Sequence, residues 1–384
     1  MLTSFRAARF GLFLLFIVFA GCDGRVPMDG GYDAASDSLR FGGETHLRNV
    51  TQLTFGGNNA EAYWNAAGTE LVFQSEWTEL TSQGCDQIFV MNADGSDRAS
   101  GDRYDRVSTD TGRTTCSYFL NDGRIIYAST HGGGDSCPIA PMFGRGRYVW
   151  PIFPDYDIYV VDADGQNLEL LIGGPGYDAE ATVSPDGKFV IFTSTRTGDL
   201  ELFRYEIATG ETIQLTDTLG YDGGAFFSPD SQQIVWRADR PEGERADVYQ
   251  QLLADGLVEP SELNIFVANI DGSNARQVTN LAGANWAPFF HPDGERILFS
   301  TNHHSLAEGG RMFDIFTSDL ETGELQQITH SGTFDAFPMF SPDGSKLVFS
   351  SNRNGSRTES TDTNIFVADW VEEPQEVDLG FGQN

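Results

Sequence analysis

Apolar and polar positions along the chain fall into short strand-like blocks separated by tight reversals. Lys188-Phe189-Val190-Ile191-Phe192 is a near-continuous β-branched and aromatic run, whereas Leu200-Glu201-Leu202-Phe203-Arg204-Tyr205 is closer to strict alternation. The first pattern predicts a fully buried strand, the second a half-buried one. The reversal before the first strand is Ser184-Pro185-Asp186-Gly187, and related turns stand at 65–68, 120–123, 228–231, 291–294 and 341–344. Proline presets φ at the second turn position and Asp-Gly supplies the tight reversal, so each turn joins antiparallel strands. A second hairpin signal follows in most units, at Asp94-Gly95, Asp164-Gly165, Thr209-Gly210, Asp271-Gly272 and Thr322-Gly323, and a last strand such as 212–216 comes after it.

Six units of about 45 residues, each with four antiparallel strands, predict an all-β, six-bladed β-propeller. The ends of the array agree with that reading. The sixth unit stops at Ile365-Phe366-Val367-Ala368-Asp369-Trp370 without a fourth strand, while Val50-Thr51-Gln52-Leu53-Thr54 precedes the first unit with no blade of its own. The N-terminal strand, about residues 46–54, is therefore expected to complete the last blade and close the ring, removing two open edges.

These residues resemble the TolB-type propeller repeat, whose pattern runs Leu-Thr, Pro-x-Phe-Ser-Pro-Asp-Gly, Phe-x-Ser and Ile-Tyr-Val-Met-Asp-x-Asp-Gly. The resemblance spans about residues 46–371 and implies the fold more than a function, because such propellers serve many activities. The separate N-terminal α/β domain of TolB has no counterpart in the short stretch before the first blade. The closer resemblance is to stand-alone TolB-like lipoproteins of the cell envelope.

The N-terminus carries an address. Arg6 and Arg9 precede an apolar run from Phe10 to Ala20, and Phe19-Ala20-Gly21-Cys22 resembles a lipobox. Residues 1–21 are thus expected to be a lipoprotein signal peptide and Cys22 the acylated residue, with 22–45 a flexible tether, 46–371 the propeller and 372–384 a C-terminal tail. Asp23 resembles an inner-membrane retention signal, with the outer membrane or cell surface left open.

Composition narrows the partners. Without its signal the chain holds 22 basic and 56 acidic residues, a formal balance of -34, which argues against nucleic acid and against anionic lipid surfaces. Membrane contact is expected through the lipid anchor only, and the propeller is expected to be a monomer. Cys85, Cys116 and Cys137 remain after Cys22, an odd number in an exported chain. The favoured disulfide is Cys116 with Cys137, and Cys85 paired with either stays open.

Every long insertion falls between the second and third strands of a blade, at roughly 76–86, 131–155, 238–262, 302–313 and 353–363. One face of the disc is thereby elaborated, and in repeat arrays such a face usually binds. Ala246, Tyr249 and Leu253 stand at helical spacing within 244–255, with Gly256 and Pro260 to stop the helix, so one short helix is expected on the rim in the blade-four insertion. Arg145, Arg147 and Trp150 form a local basic and aromatic patch in the blade-two insertion. Aligning the units places Asn59, Thr114, Asp178, Asp222, Asn285 and Asp335 where the inner strands begin, with Glu61, Cys116 and Glu180 two residues later. The column at the end of the second strand reads Glu76, His131, Arg196, Arg240, His303 and Arg353. The ligand-binding candidates are Glu61, Asp178, Glu180, Asp222, Asp335, Arg196, Arg240, Arg353, Arg145, Arg147 and Trp150. The plainer reading makes the acid and base columns a network of ion pairs tying neighbouring blades together.

His131, His303, His304 and His330 fall on the same face and could ligate a transition metal. Metal-dependent uronate lyases built on this repeat give that idea an analogy. No cofactor is predicted; a transition metal stays open, and so does calcium, although the Asp-x-Asp-Gly strings read as hairpin turns rather than EF-hand loops. No Gly-x-Ser-x-Gly, phosphate-loop or His-Glu-x-x-His motif is present, so no catalytic residue is assigned. The leading expectation is an envelope module that binds a protein or polymer, such as a polysaccharide or peptide, linked to transport or envelope organisation, without chemistry of its own. The alternatives are a metal-dependent carbohydrate lyase or hydrolase and an accessory propeller for a separate peptidase.

Overall fold

The computed structural model describes residues 37–96, 104–354 and 362–372. The expected signal peptide, the lipidation site Cys22 with Asp23, the first part of the tether and all but the first residue of the tail lie outside them. Six four-stranded antiparallel sheets follow one another along the chain. Their inner strands are Asn59–Trp64, Thr114–Phe119, Asp178–Val183, Asp222–Phe227, Asn285–Phe290 and Asp335–Phe340. Second and third strands are buried along most of their length, as in Phe189–Ser194, because they are covered by the neighbouring blades on both sides. Fourth strands are short and largely exposed, as in Thr212–Gln214.

The ring closes as the sequence predicts. Leu47–Gln52 pairs antiparallel with Asn364–Trp370, Leu47 opposite Trp370 and Gln52 opposite Phe366. His46 strengthens the seam, its ring stacked on Trp370 at 4.9 Å and its Nδ1 2.8 Å from the Val371 carbonyl. Residues 37–45, the last part of the expected tether, belong to the folded unit. Arg353, Glu44 and Asp335 are all fully buried, with the guanidinium 3.0 Å from Glu44 and 3.1 Å from Asp335. Burial pushes the Glu44 carboxyl up even with Arg353 beside it. The folded unit thus includes residues upstream of the expected start of the propeller, because a buried arginine between two carboxylates needs the second acid for neutrality and hydrogen bonding.

The blade-four helix spans Glu244–Ala254 and buries Tyr249 and Leu252. The Tyr249 hydroxyl donates to Asp199 of blade three, which seats the helix on the neighbouring rim. A short 3-10 helix at His303–Glu308 in blade five was not expected, since the segment carries no helical apolar spacing. The favoured disulfide is corrected: Cys85 pairs with Cys137, their Cα atoms 6.2 Å apart, and Cys116 is free. Cys116 lies on an inner strand facing the axis, whereas Cys85 and Cys137 lie in the insertions of blades one and two. Gln83 supports the staple by accepting from the Cys137 amide at 2.9 Å and donating to the Asp135 carbonyl.

Replacing Arg353 with alanine leaves two buried carboxylates without their cation, so stability in urea titration is expected to fall by about 3–5 kcal/mol. Alkylation of unfolded, unreduced protein followed by peptide mapping should label Cys116 and leave Cys85 and Cys137 unlabelled; labelled Cys137 in the wild-type chain would contradict the staple.

Candidate functional site: a cup at the centre of the elaborated face

Each inner strand contains the same irregularity. The pairing register shifts after its second residue, as between Ala60 and Tyr63 or Ala179 and Thr182. The third residue has positive φ in all six blades: Glu61 at 54°, Cys116 at 49°, Glu180 at 58°, Gly224 at 59°, Ala287 at 50° and Phe337 at 56°. A left-handed backbone costs a residue with a Cβ roughly 1–2 kcal/mol, and a bulge re-aims the side chain it carries. Four of these positions, Glu61, Cys116, Glu180 and Phe337, thereby present side chains larger than methyl to one central cavity of about 1220 Å³.

The floor of the cavity comes from the fifth residue of the same strands. Tyr63 of blade one and Phe226 of blade four meet across the axis at 5.5 Å between ring centres. Tyr118 and Phe289 pack on them, 5.5 Å from Tyr63 and 5.3 Å from Phe226 respectively. These rings, packed edge-on and tilted, fill the axis and leave a cup rather than an open bore.

Two insertions roof part of the cup. In blade two, Phe143–Gly144 and Arg147–Tyr148 form a small hairpin, and Trp150–Pro151 then pairs with Leu257–Val258 of the blade-four insertion. Arg145 meets Asp255 at 2.6 Å and Arg147 meets Glu259 at 2.8 Å. The two arginines expected to greet a ligand are instead clasps between the insertions. Trp150 does line the cavity, its ring 5.9 Å from Trp286 of blade five.

The wall has two chemical halves. On blades two to four, Glu180 accepts hydrogen bonds from Tyr221, from Thr193 at 2.7 Å, from the Gly224 amide at 2.9 Å and from Arg237. Gly224 has no substitute here, because an added Cβ would lie 1.7 Å from the Arg237 guanidinium. Arg113 pairs with Asp86 at 2.6 Å, and burial holds that carboxyl up at about 6 in spite of the arginine. Burial and the carboxylates of Glu61 and Glu180 push the Cys116 thiol well above its ordinary range, which makes it a poor nucleophile. On blades five and six the wall is aromatic. Trp286 meets Phe337 edge to face at 4.8 Å and Phe313 at 5.6 Å, with Phe334 behind.

The expected acid ring lies within the blades rather than around the mouth. Asp178, Asp222 and Asp335 are buried, and none lines the cavity. Each pairs with an arginine of its own blade, Asp178 with Arg196 at 2.8 Å, Asp222 with Arg240 at 2.7 Å and Asp335 with Arg353. The expected ties between neighbouring blades are therefore ties within blades, because the end of the second strand lies directly opposite the start of the first. Burial raises Asp222 to about 6 against the pull of Arg240.

His131 and His303 occupy the repeat position of these arginines and do the same packing. His131 lies 4.2 Å from Tyr159 and His303 lies 5.2 Å from Phe316, as Arg196 lies 5.0 Å over Phe203. His304 is 2.9 Å from Asp314, and the His330 amide donates to Glu44. Desolvation lowers His131, His303 and His304, favouring neutral rings. Among the described residues the four histidines form no metal-ligand cluster; the grouping with ligand geometry is His291, Asp293 and Glu372, at a turn of the other face. Sequence reading missed Arg237, Tyr221, Trp286 and Phe337. A lone arginine directly after the apolar run 234–236, in the blade that also carries Gly223-Gly224, was the one available signal for Arg237.

Comparison with known proteins agrees with the architecture. The TolB beta propeller domain family matches residues 257–359. Over 188 residues the chain is 25% identical to the Tol-Pal system protein TolB of Francisella tularensis subsp. holarctica, covering 41% of this chain and 43% of that protein. Over 149 residues it is 26% identical to an uncharacterized protein of Agrobacterium fabrum, covering 38% and 46%. The chain thus spans less than half the length of these curated relatives. TolB from Acinetobacter baumannii has the same fold, with a TM-score of 0.51 at 17% identity over 84% of this chain and 65% of that one. The chain has the β-propeller fold and is similar, over residues 257–359, to the TolB beta propeller domain family.

Proposed function

We propose that the chain is an envelope-facing binding module that receives a segment of a protein partner in the cup on its elaborated face. The carrying observation is the roofed, blind-ended cavity itself, where six bulged inner strands, five of them strained at a non-glycine residue, and two clasped insertions converge without assembling the expected histidines. Strain of that kind persists where the surroundings over-determine it and often marks a working site. The rim adds apolar surface for a partner, since Met142, Phe143 and Tyr148 are 65%, 64% and 54% exposed beside the cavity mouth. An envelope setting is supported by the signal layout of residues 1–22 and by the Tol-Pal system name of the Francisella relative. In this reading Cys22 carries the lipid and the acidic propeller stands off the membrane. Among the described residues no helix is long and apolar enough to cross a membrane.

Capture from native envelope fractions tests the face. Phe143→Ser with Tyr148→Ser should lose, at least severalfold, a partner that the wild type retains. Leu170→Ser, an exposed site on an outer strand, should retain it. Identical captured sets from all three chains would remove this face as the binding site.

A further inference from the structure

Two acid–base pairs stand in the cup, whereas Glu61, Glu76 and the exposed Arg311 of its lining form no ion pair among the described residues. Glu180 has Arg237 and Asp86 has Arg113. Glu61, on the blade-one bulge, forms no ion pair among the described residues, and its hydrogen-bond partner is the neutral Cys116 thiol. Glu76 is also without an ion pair, but it stands at the end of its strand and accepts from Asn58 in contact with solvent. A recessed carboxylate without a cation is expensive, and a ligand that supplies the cation recovers that cost. Beside Glu61, blade six presents Phe337 at the same level, backed by Trp286, and aromatic rings favour a desolvated cation.

We infer that the cup takes a cationic group carried on a peptide segment, a lysine or arginine side chain or a free amino terminus, seated between the Glu61 carboxyl and the aromatic wall of blades five and six. This rests on the binding role proposed above and names the chemistry that the site selects. A neutral sugar polymer fits less well. Trp286 is only 9% exposed and is boxed by Phe313, Phe334 and Phe337, so it offers no open ring face for a sugar to stack on. The formal charge of -32 adds a long-range pull on cationic segments.

The geometry also sets the pH response. Burial pushes Glu61 up to about 7; the Cys116 contact opposes the rise, Glu180 adds to it, Arg237 opposes it and Asp86 adds to it. Tyr63 on the same strand is raised far out of range and stays neutral. A cation binds the ionised carboxylate, so affinity should grow as pH rises through 7, while a neutral ligand gains nothing.

Calorimetric titration of the full chain with acetyl-Phe-Lys-Phe-amide tests this, against the same peptide with norleucine for lysine and against the norleucine peptide with a free amino terminus. A cationic peptide should bind about tenfold more tightly than the neutral one. Whichever of the two cationic peptides binds better identifies the source of the charge. Glu61→Gln should abolish the preference, and raising the pH from 6 to 8 should strengthen binding of the acetylated lysine peptide, which keeps its charge over that range, severalfold in the wild type alone; the wild-type pH series with that peptide decides the matter even if the variant folds poorly. Equal affinity for charged and neutral peptides, or a preference that survives Glu61→Gln, would overturn the inference, as would no binding at millimolar peptide. Cellohexaose bound in preference to every peptide would overturn it in favour of a polymer. Envelope capture that depends on Phe143 and Tyr148 but not on Glu61 would leave the binding face standing and remove only the cationic ligand.

Discussion

Closure of the ring by the pairing of Leu47–Gln52 with Asn364–Trp370 is the constraint on which the rest of the molecule depends. Blades pack face to face around an axis, and an unclosed array would expose two sheet edges and the apolar flanks of its end blades. The closing strand is held from its N-terminal side. His46 and Trp370 stack there, and upstream of them residues 37–45 bring Glu44 to the buried guanidinium of Arg353. Since Arg353 also holds Asp335 at the head of the blade-six inner strand, the seam and the site share one ionic cluster.

With the ring closed, six equivalent inner strands face one axis, and their common bulge becomes a device for building a cavity. Four of the six fifth residues fill the axis with rings, and the third residues stand above them. The repeat supplies the positions, and its irregularities supply the chemistry: glutamate, cysteine and glutamate on one arc, glycine making room for Arg237, then alanine and phenylalanine. A cavity that is acidic on one side and aromatic on the other follows from six residues placed at one height. The bridge of the blade-two and blade-four insertions then reaches across the axis, bringing Trp150 against Trp286 and restricting access to the rim beside Phe143 and Tyr148.

Repeat-equivalent residues also explain why the histidines mislead. At the end of each second strand from blade two to blade six, a flat, polar-edged side chain lies on a ring of the third strand. Arginine does this in blades three, four and six, and histidine does it in blades two and five. The shared requirement is a planar group that covers an aromatic ring at the edge of solvent, which both residue types satisfy.

The chain itself announced the propeller, the closing strand, the elaborated face and the rim helix, because these rest on local signals: strand periodicity, Pro-Asp-Gly reversals and insertion lengths. Glu61 and Glu180 were legible as residues of the central cavity through comparison of the repeats, and Trp150 through the aromatic and basic composition of its insertion. The left-handed bulges were not, since nothing in Glu, Cys or Phe marks a residue for positive φ; packing six strands around one axis imposes it. The Cys85–Cys137 staple, the clasps at Arg145 and Arg147, and the Arg237 pair with Glu180 were equally out of reach, because each joins segments from different blades. Local periodicity determines which elements form, whereas the partners of a buried charge or thiol are decided only when the ring brings distant blades together and desolvation forces each polar group to find one.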